Sequence, residues 1–148
     1  MPSWSKRVGL AAGALLLGIQ FIPVNRRNPP VDPSKTIYAS QAVPANVRAV
    51  LERSCQDCHS NQTVWPWYSY VAPVSWVVAH DVHQARGKMN FSEWATYAEK
   101  KKADRRESIC DEVMNDDMPD GKYAFVHRRA RLTQDEREAI CEWTQGGD

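Results

Sequence analysis

Two cysteines separated by two residues and followed at once by a histidine form the most chemically pointed arrangement in this chain. They are Cys55, Cys58 and His59, in the run SCQDCHSNQTVWPWYSYVAPVSW from Ser54 to Trp76. Cys-x-x-Cys-His is the attachment pattern of c-type haem. Two thiols at this gap match the separation of the two porphyrin vinyl groups, and the adjacent imidazole can ligate the iron. Rival chemistries lack their partners. A structural zinc site takes four ligands, and neither Cys110 nor Cys141 has a second cysteine or histidine two to four residues away. A thioredoxin-like redox pair sits in a βαβ pattern, and no stretch here alternates with period two for long enough to make a strand. A chance cluster or a structural disulfide is the bland alternative.

A sixth iron ligand has to come from downstream: Met89, Met114, Met118, His80, His83 or His127. Met118 precedes Pro119, which biases it away from helix towards extended backbone, where a thioether can reach across a porphyrin face. Met89 lies among polar neighbours without a proline. Met114 falls on an apolar helical stripe and reads as core filler. His80 and His83 share a polar part of one helix and read as surface residues. Met118 is therefore the expected ligand and His127 its alternative; a Met/His pair would raise the potential.

Positioning these groups takes helices. Pro44 suits a helix start, and Val47, Val50 and Leu51 give that helix one apolar face, over about Pro44 to Arg53, delivering the chain to Cys55. A second helix is expected from Pro73 to about Gln84, with Val74, Val77, Val78 and Val82 inward. Asn90 with Glu93 resembles a capping box opening a third helical region. Its charged part, AEKKKADRRE, reads as a solvated face before Ile109, Cys110, Val113 and Met114 resume the apolar stripe. Thr133 with Glu136 is a cleaner box, opening a last helix from about Gln134 to Gln145 that buries Ala139, Ile140 and Trp143 and stops at Gly146. The expected fold is all-α: a cytochrome-c-like helical domain around one covalent haem, preceded by a membrane-anchor helix.

Before that domain, Lys6 and Arg7 precede an apolar run from Val8 to Val24 broken only by Gln20. As a helix it would reach roughly 25 Å, between a secretory signal and a full span. The only Ala-x-Ala triplet, Ala12-Gly13-Ala14, falls inside the run, which favours an uncleaved anchor over a cleaved signal. Residues 1–24 are read as this signal-anchor and 25–43, with Pro29, Pro30 and Pro33, as a linker or arm outside the core. Residues 44–148 are read as the haem-binding domain. Arg26 and Arg27 blur the charge rule for orientation, so orientation follows from the chemistry. Covalent haem attachment takes place on the outer face of the bacterial inner membrane, which puts the domain in the periplasm. There disulfides form, and one between Cys110 and Cys141 is expected. The formal charge of +1 falls to about −1 without Lys6 and Arg7. No basic stripe remains to neutralise phosphates, so nucleic acid is excluded as a partner.

Several separated motifs also carry a resemblance. The run from Cys55 to Asn61, then Thr63, Trp65 to Ser69, Ala72-Pro73, Ser75-Trp76 and Asn90 to Trp94, is similar to the bacterial haem-binding domain family of exported cytochrome-c-like proteins. The closing segment resembles that family's, with Met118-Pro119, Tyr123, His127, Ala130, Leu132 and Trp143 in matching places, as does GIQFIPVNRRNPP near the N-terminus. The likeness spans Gly18 to Trp143 and implies one covalent haem, a helical fold and export. Ala85-Arg86 departs from it, standing where Gly-Arg is expected.

A haem needs a wide apolar wall. Trp65, Trp67, Tyr68 and Trp76 can supply rings whose polar edges bond propionates or backbone, with Trp67 and Trp76 the expected contacts and ordinary core packing the alternative. The expected function is a single-electron carrier, working with redox proteins the sequence does not name. The rivals are a sensor or small-ligand- or peroxide-reactive haem protein with an open sixth position, and a non-catalytic haem module of a larger complex. No residues outside this set look catalytic, and a single haem motif excludes a stand-alone di-haem peroxidase.

Overall fold

The structure, a computed structural model, describes residues 3–146. Its regular elements are all helical: α1 (Trp4–Gly18), α2 (Ile37–Ser40), α3 (Ala45–Ser54), α4 (Gln56–His59), α5 (Val74–Lys88), α6 (Glu99–Met114), α7 (Gly121–Val126) and α8 (Gln134–Gln145), joined by short 3₁₀ turns. No strand occurs among the described residues, so the all-α expectation holds.

α3 buries Val47, Val50 and Leu51, the face its spacing dictates, and ends at Cys55, whose N–H still bonds the Leu51 carbonyl. The chain then makes one further turn, α4, which carries the cysteine–histidine motif. α8 opens on a complete capping box: the Thr133 hydroxyl accepts from the Glu136 N–H, and the Glu136 carboxylate accepts from the Thr133 N–H. Its inward residues, Ile140 and Trp143, join Val47, Val50, Leu51, Trp94, Ile109 and Val113 in one apolar core. α8 packs against α6 and α3, and a disulfide joins Cys110 of α6 to Cys141 of α8 with Cα atoms 4.7 Å apart. The pairing expected of the two outlying cysteines is present.

Three local expectations are corrected. Residues 25–43 are not wholly outside the core: Ile37 of α2 has no exposed surface and packs within the core cluster. Ile37, Tyr38 and Val43 are spread among prolines and polar groups and leave no periodic pattern to detect. Asn90 does cap, accepting from the Ser92 N–H, but it opens a 3₁₀ segment (Phe91–Thr96) rather than a long helix. Extended backbone at Tyr97 breaks the chain before α6 begins at Glu99.

The third correction concerns α5. Its buried side is Ser75, Ala79 and Val82, while Val74 and Val77 are 45% and 48% exposed. α5 packs closely on α4, and small residues at that contact let two backbones approach. The valines are turned outward as a consequence. At the N-terminus the apolar run is not one helix. α1 stops at Gly18, a 3₁₀ turn follows (Ile19–Phe21), and the chain continues extended. α1 has no buried residue, and no helix among the described residues is long and apolar enough to cross a membrane.

Candidate functional site

α4 places Cys55, Cys58 and His59 on one turn. The His59 ring is buried, 6.0 Å from Phe91 between centroids, with Nδ1 3.1 Å from the Met89 carbonyl oxygen. A carbonyl only accepts, so Nδ1 carries the proton and Nε2 keeps its lone pair, the state a metal-binding imidazole requires. Burial pushes the His59 pKa down, which keeps the ring neutral.

The Met89 carbonyl is itself fixed by a polar network. Asn90 donates from Nδ2 to Asn61 Oδ1 (2.8 Å), the Asn61 N–H donates to Ser92 Oγ (3.0 Å), and the Asn90 N–H donates to the Tyr97 hydroxyl oxygen (2.9 Å). Arg86 braces the loop after His59. It donates from Nε to the Ser60 carbonyl (2.7 Å), and from Nη2 to Thr63 Oγ1 (2.7 Å) and Asn28 Oδ1 (2.7 Å), binding the proline-rich arm to the motif. None of Asn61, Asn90, Ser92 or Arg86 was read as supporting the site from sequence. The Ala85 departure leaves the clamp intact, because its neighbour Arg86 makes the bonds within an unbroken α5.

Both motif cysteines are free thiols. Burial pushes Cys55 up to about 12 and Cys58 up to about 11. Buried thiols of this kind are protonated and inert.

Met118 is half-buried against the core and follows the turn that ends α6. Its N–H bonds the Glu112 carbonyl (3.1 Å), and Arg137 grips the same turn through the Val113 carbonyl (2.9 Å) and the Asp116 carboxylate. His127 is engaged elsewhere. Its Nε2 bonds the Tyr68 hydroxyl, and its ring stacks on Tyr123 with centroids 4.4 Å apart. Tyr123 in turn donates to Asp57 Oδ2 (3.1 Å), inside the Cys-x-x-Cys-His turn. Burial, ahead of the nearby Asp57 charge, pushes both phenols up, so each keeps its proton to donate. Sequence reasoning weighed His127 as a ligand and missed this clasp, because the contact joins residues 59 apart.

The aromatic residues divide. Trp67 is 78% exposed and meets Tyr68 edge-on. Trp76 is half-buried, and its indole N–H is a buried donor with no acceptor. Trp65 donates to Asn28 Oδ1 (3.2 Å). Trp94, fully buried, is core. His80 and His83 are exposed, as expected.

A family model described as a haem-binding domain matches residues 14–146, nearly the whole chain. The chain belongs to the haem-binding domain family. No curated protein and no solved structure matches it. The donor set here fits the group that this family binds: an imidazole with its outer nitrogen proton-free, two unpaired thiols, and an orphaned indole donor suited to a carboxylate. No group of three or more His, Cys, Asp or Glu side chains placed to hold a metal ion is found among the described residues.

Proposed function

We propose that this haem-binding protein is an exported, membrane-held c-type cytochrome that carries one covalent haem and transfers single electrons. The observation that carries the reading is the unequal treatment of four cysteines. Cys110 and Cys141 are bonded to each other, whereas Cys55 and Cys58 stay thiols beside a histidine whose Nδ1–H is fixed.

In this reading the Cys55 and Cys58 thiols would hold the haem through two thioether links, each the product of S–H addition across a vinyl double bond with no oxidant or reductant consumed. His59 supplies the proximal nitrogen, and the Met89 carbonyl keeps the ring from rotating. Met118 would supply a second iron ligand, favoured over His127 because His127 Nε2 is already bonded to Tyr68. Trp67 and Trp76 wall the apolar disc, and the Trp76 N–H offers it a hydrogen bond. Haem iron, when bound, supplies one-electron oxidation and reduction. With His59 and Met118 both holding the iron, the protein's task would be to keep geometry still and exclude water.

The N-terminal helix, with apolar side chains exposed along its length, anchors the chain in the bacterial inner membrane with the domain in the periplasm. That compartment suits both the disulfide and the attachment chemistry. Partners are redox proteins rather than nucleic acid. The test is a pair of visible spectra of the membrane-expressed protein, oxidised and reduced, with and without carbon monoxide. A low-spin haem c spectrum, a sulfur–iron band in the oxidised form and no carbon monoxide binding on mixing are expected. Immediate binding would replace the carrier with a small-ligand function.

A further inference from the structure

The two valines that α5 turns outward are part of a wider apolar face. Tyr70 (59% exposed), Val71, Val74 and Val77 lie along the 3₁₀ turn at residues 67–70 and the start of α5. An exposed apolar group of this kind marks a surface that something covers. Its neighbour in the fold says what.

Gln20, the one polar break in the N-terminal apolar run, reaches this face. Its Oε1 accepts from the Ala72 N–H (2.9 Å), and its Nε2 donates to the Ala72 carbonyl (3.1 Å) and to the Leu16 carbonyl of α1 (2.9 Å). Arg26 adds a bond to the Ser69 carbonyl (3.2 Å) and lies 4.4 Å over the Tyr70 ring. The side chain that binds Ala72 therefore also binds the last turn of α1. Between them, Phe21 and Ile22 are exposed too.

We propose that the face formed by Tyr70, Val71, Val74 and Val77 lies on the lipid surface in which α1 is anchored, so that the haem domain has one fixed side towards the membrane. The inference rests on the reading of α1 as a membrane anchor. It goes further by assigning which side of the domain meets the bilayer. Gln20 spends its amide on a peptide group instead of on lipid, and so marks the depth at which the chain leaves the hydrocarbon. Tyrosine belongs at that level, with the ring in the interface and the hydroxyl in water. Arg26 and Arg27 stand beside it, placed to meet anionic headgroups.

The test uses the full haem-loaded chain in phosphatidylethanolamine/phosphatidylglycerol nanodiscs carrying a phospholipid with a photoreactive diazirine near the headgroup. Labelled peptides are mapped by mass spectrometry. α1 and the segment 70–77 should be labelled several-fold above Phe125 and Val126, which are at least as open to solvent as that segment's apolar side chains but placed on α7. Replacing Val74 and Val77 with lysine should lower the labelling of Tyr70 and leave that of α1 unchanged. Label confined to α1, or a face that cross-links to a second copy of the chain, would overturn the inference and leave the anchor standing. An unlabelled α1 would remove the anchor and the inference together.

Discussion

The two sides of the site are built differently. His59 is buried, and the carbonyl that orients it belongs to a loop tied down by Asn61, Asn90, Ser92 and Tyr97 inside the protein. Met118 rides on a segment that leaves α6, bends, and is fastened at its far end by Tyr123 to Asp57 and by Tyr68 to His127. The first of these residues is buried inside the protein. The second is held by a strap of side-chain bonds near the surface. Were His59 and Met118 to bind the iron as proposed, such a division would let one bond stay invariant while the other is adjusted by a few exposed contacts, the outer-shell lever by which a protein tunes a metal.

The largest break in this comparison comes at the base of the strap. The Cys110–Cys141 disulfide closes a loop of 31 residues that contains the whole segment from the end of α6 to α8. Replacing both cysteines with serine should cost ~3–4 kcal/mol by the loop-entropy argument, read as a fall in the denaturant midpoint. It should weaken the sulfur–iron band without releasing haem. Next is the His59 side. Asn90→Ala strands the Asn61 amide and removes the cap at Ser92, a loss of ~1–3 kcal/mol for buried polar groups left unpaired. Its signature differs: the midpoint potential and the imidazole resonances should move while carbon monoxide remains excluded.

Tyr123→Phe removes one half-buried bond, worth about 1 kcal/mol, so thermal unfolding should change little. Carbon monoxide should nevertheless bind the reduced protein faster, because the strap is loosened. A Tyr123→Phe protein as closed as the parent, together with an Asn90→Ala protein that opens, would reverse the assignment of rigid and adjustable sides. The smallest effect lies between α3 and α8. Arg53 forks onto Glu136 with both bonds at 2.9–3.0 Å, and that guanidinium holds the Glu136 carboxyl below its usual range. A depressed folded pKa contributes stability that is complete above the ordinary glutamate value and lost as pH falls through the folded one. The pair is partly exposed, so less than about 1 kcal/mol is at stake. Glu136→Gln keeps the capping box and should flatten the melting temperature against pH between about pH 5 and pH 3.

Legibility followed the range of the interaction. The motif, the α3 face and the capping box of α8 are local patterns, and the structure has each where its spacing puts it. The disulfide was legible because compartment and count left two cysteines over. What sequence did not show depends on residues distant in the chain. Ile37 enters the core from a proline-rich arm, and Arg86 binds that arm to the motif. α5 buries its small residues because α4 lies against it, which no helical wheel of α5 alone contains. Of the rings read as a wall, Trp67 is exposed and Trp65, Tyr68 and Trp76 are half-buried. Composition favours burying all of these rings and cannot rank them.

The most direct test is the intact mass and acid-acetone extraction of the chain purified from an export-competent host, beside its Cys55→Ala/Cys58→Ala variant. The parent chain should carry the mass of one haem, keep its colour in the precipitate and retain no free thiol at Cys55 or Cys58, while the variant should be colourless or give up its pigment to the solvent. A parent chain of unmodified mass, with both thiols free and its pigment in the acetone, would contradict covalent attachment at α4 and the reading built on it.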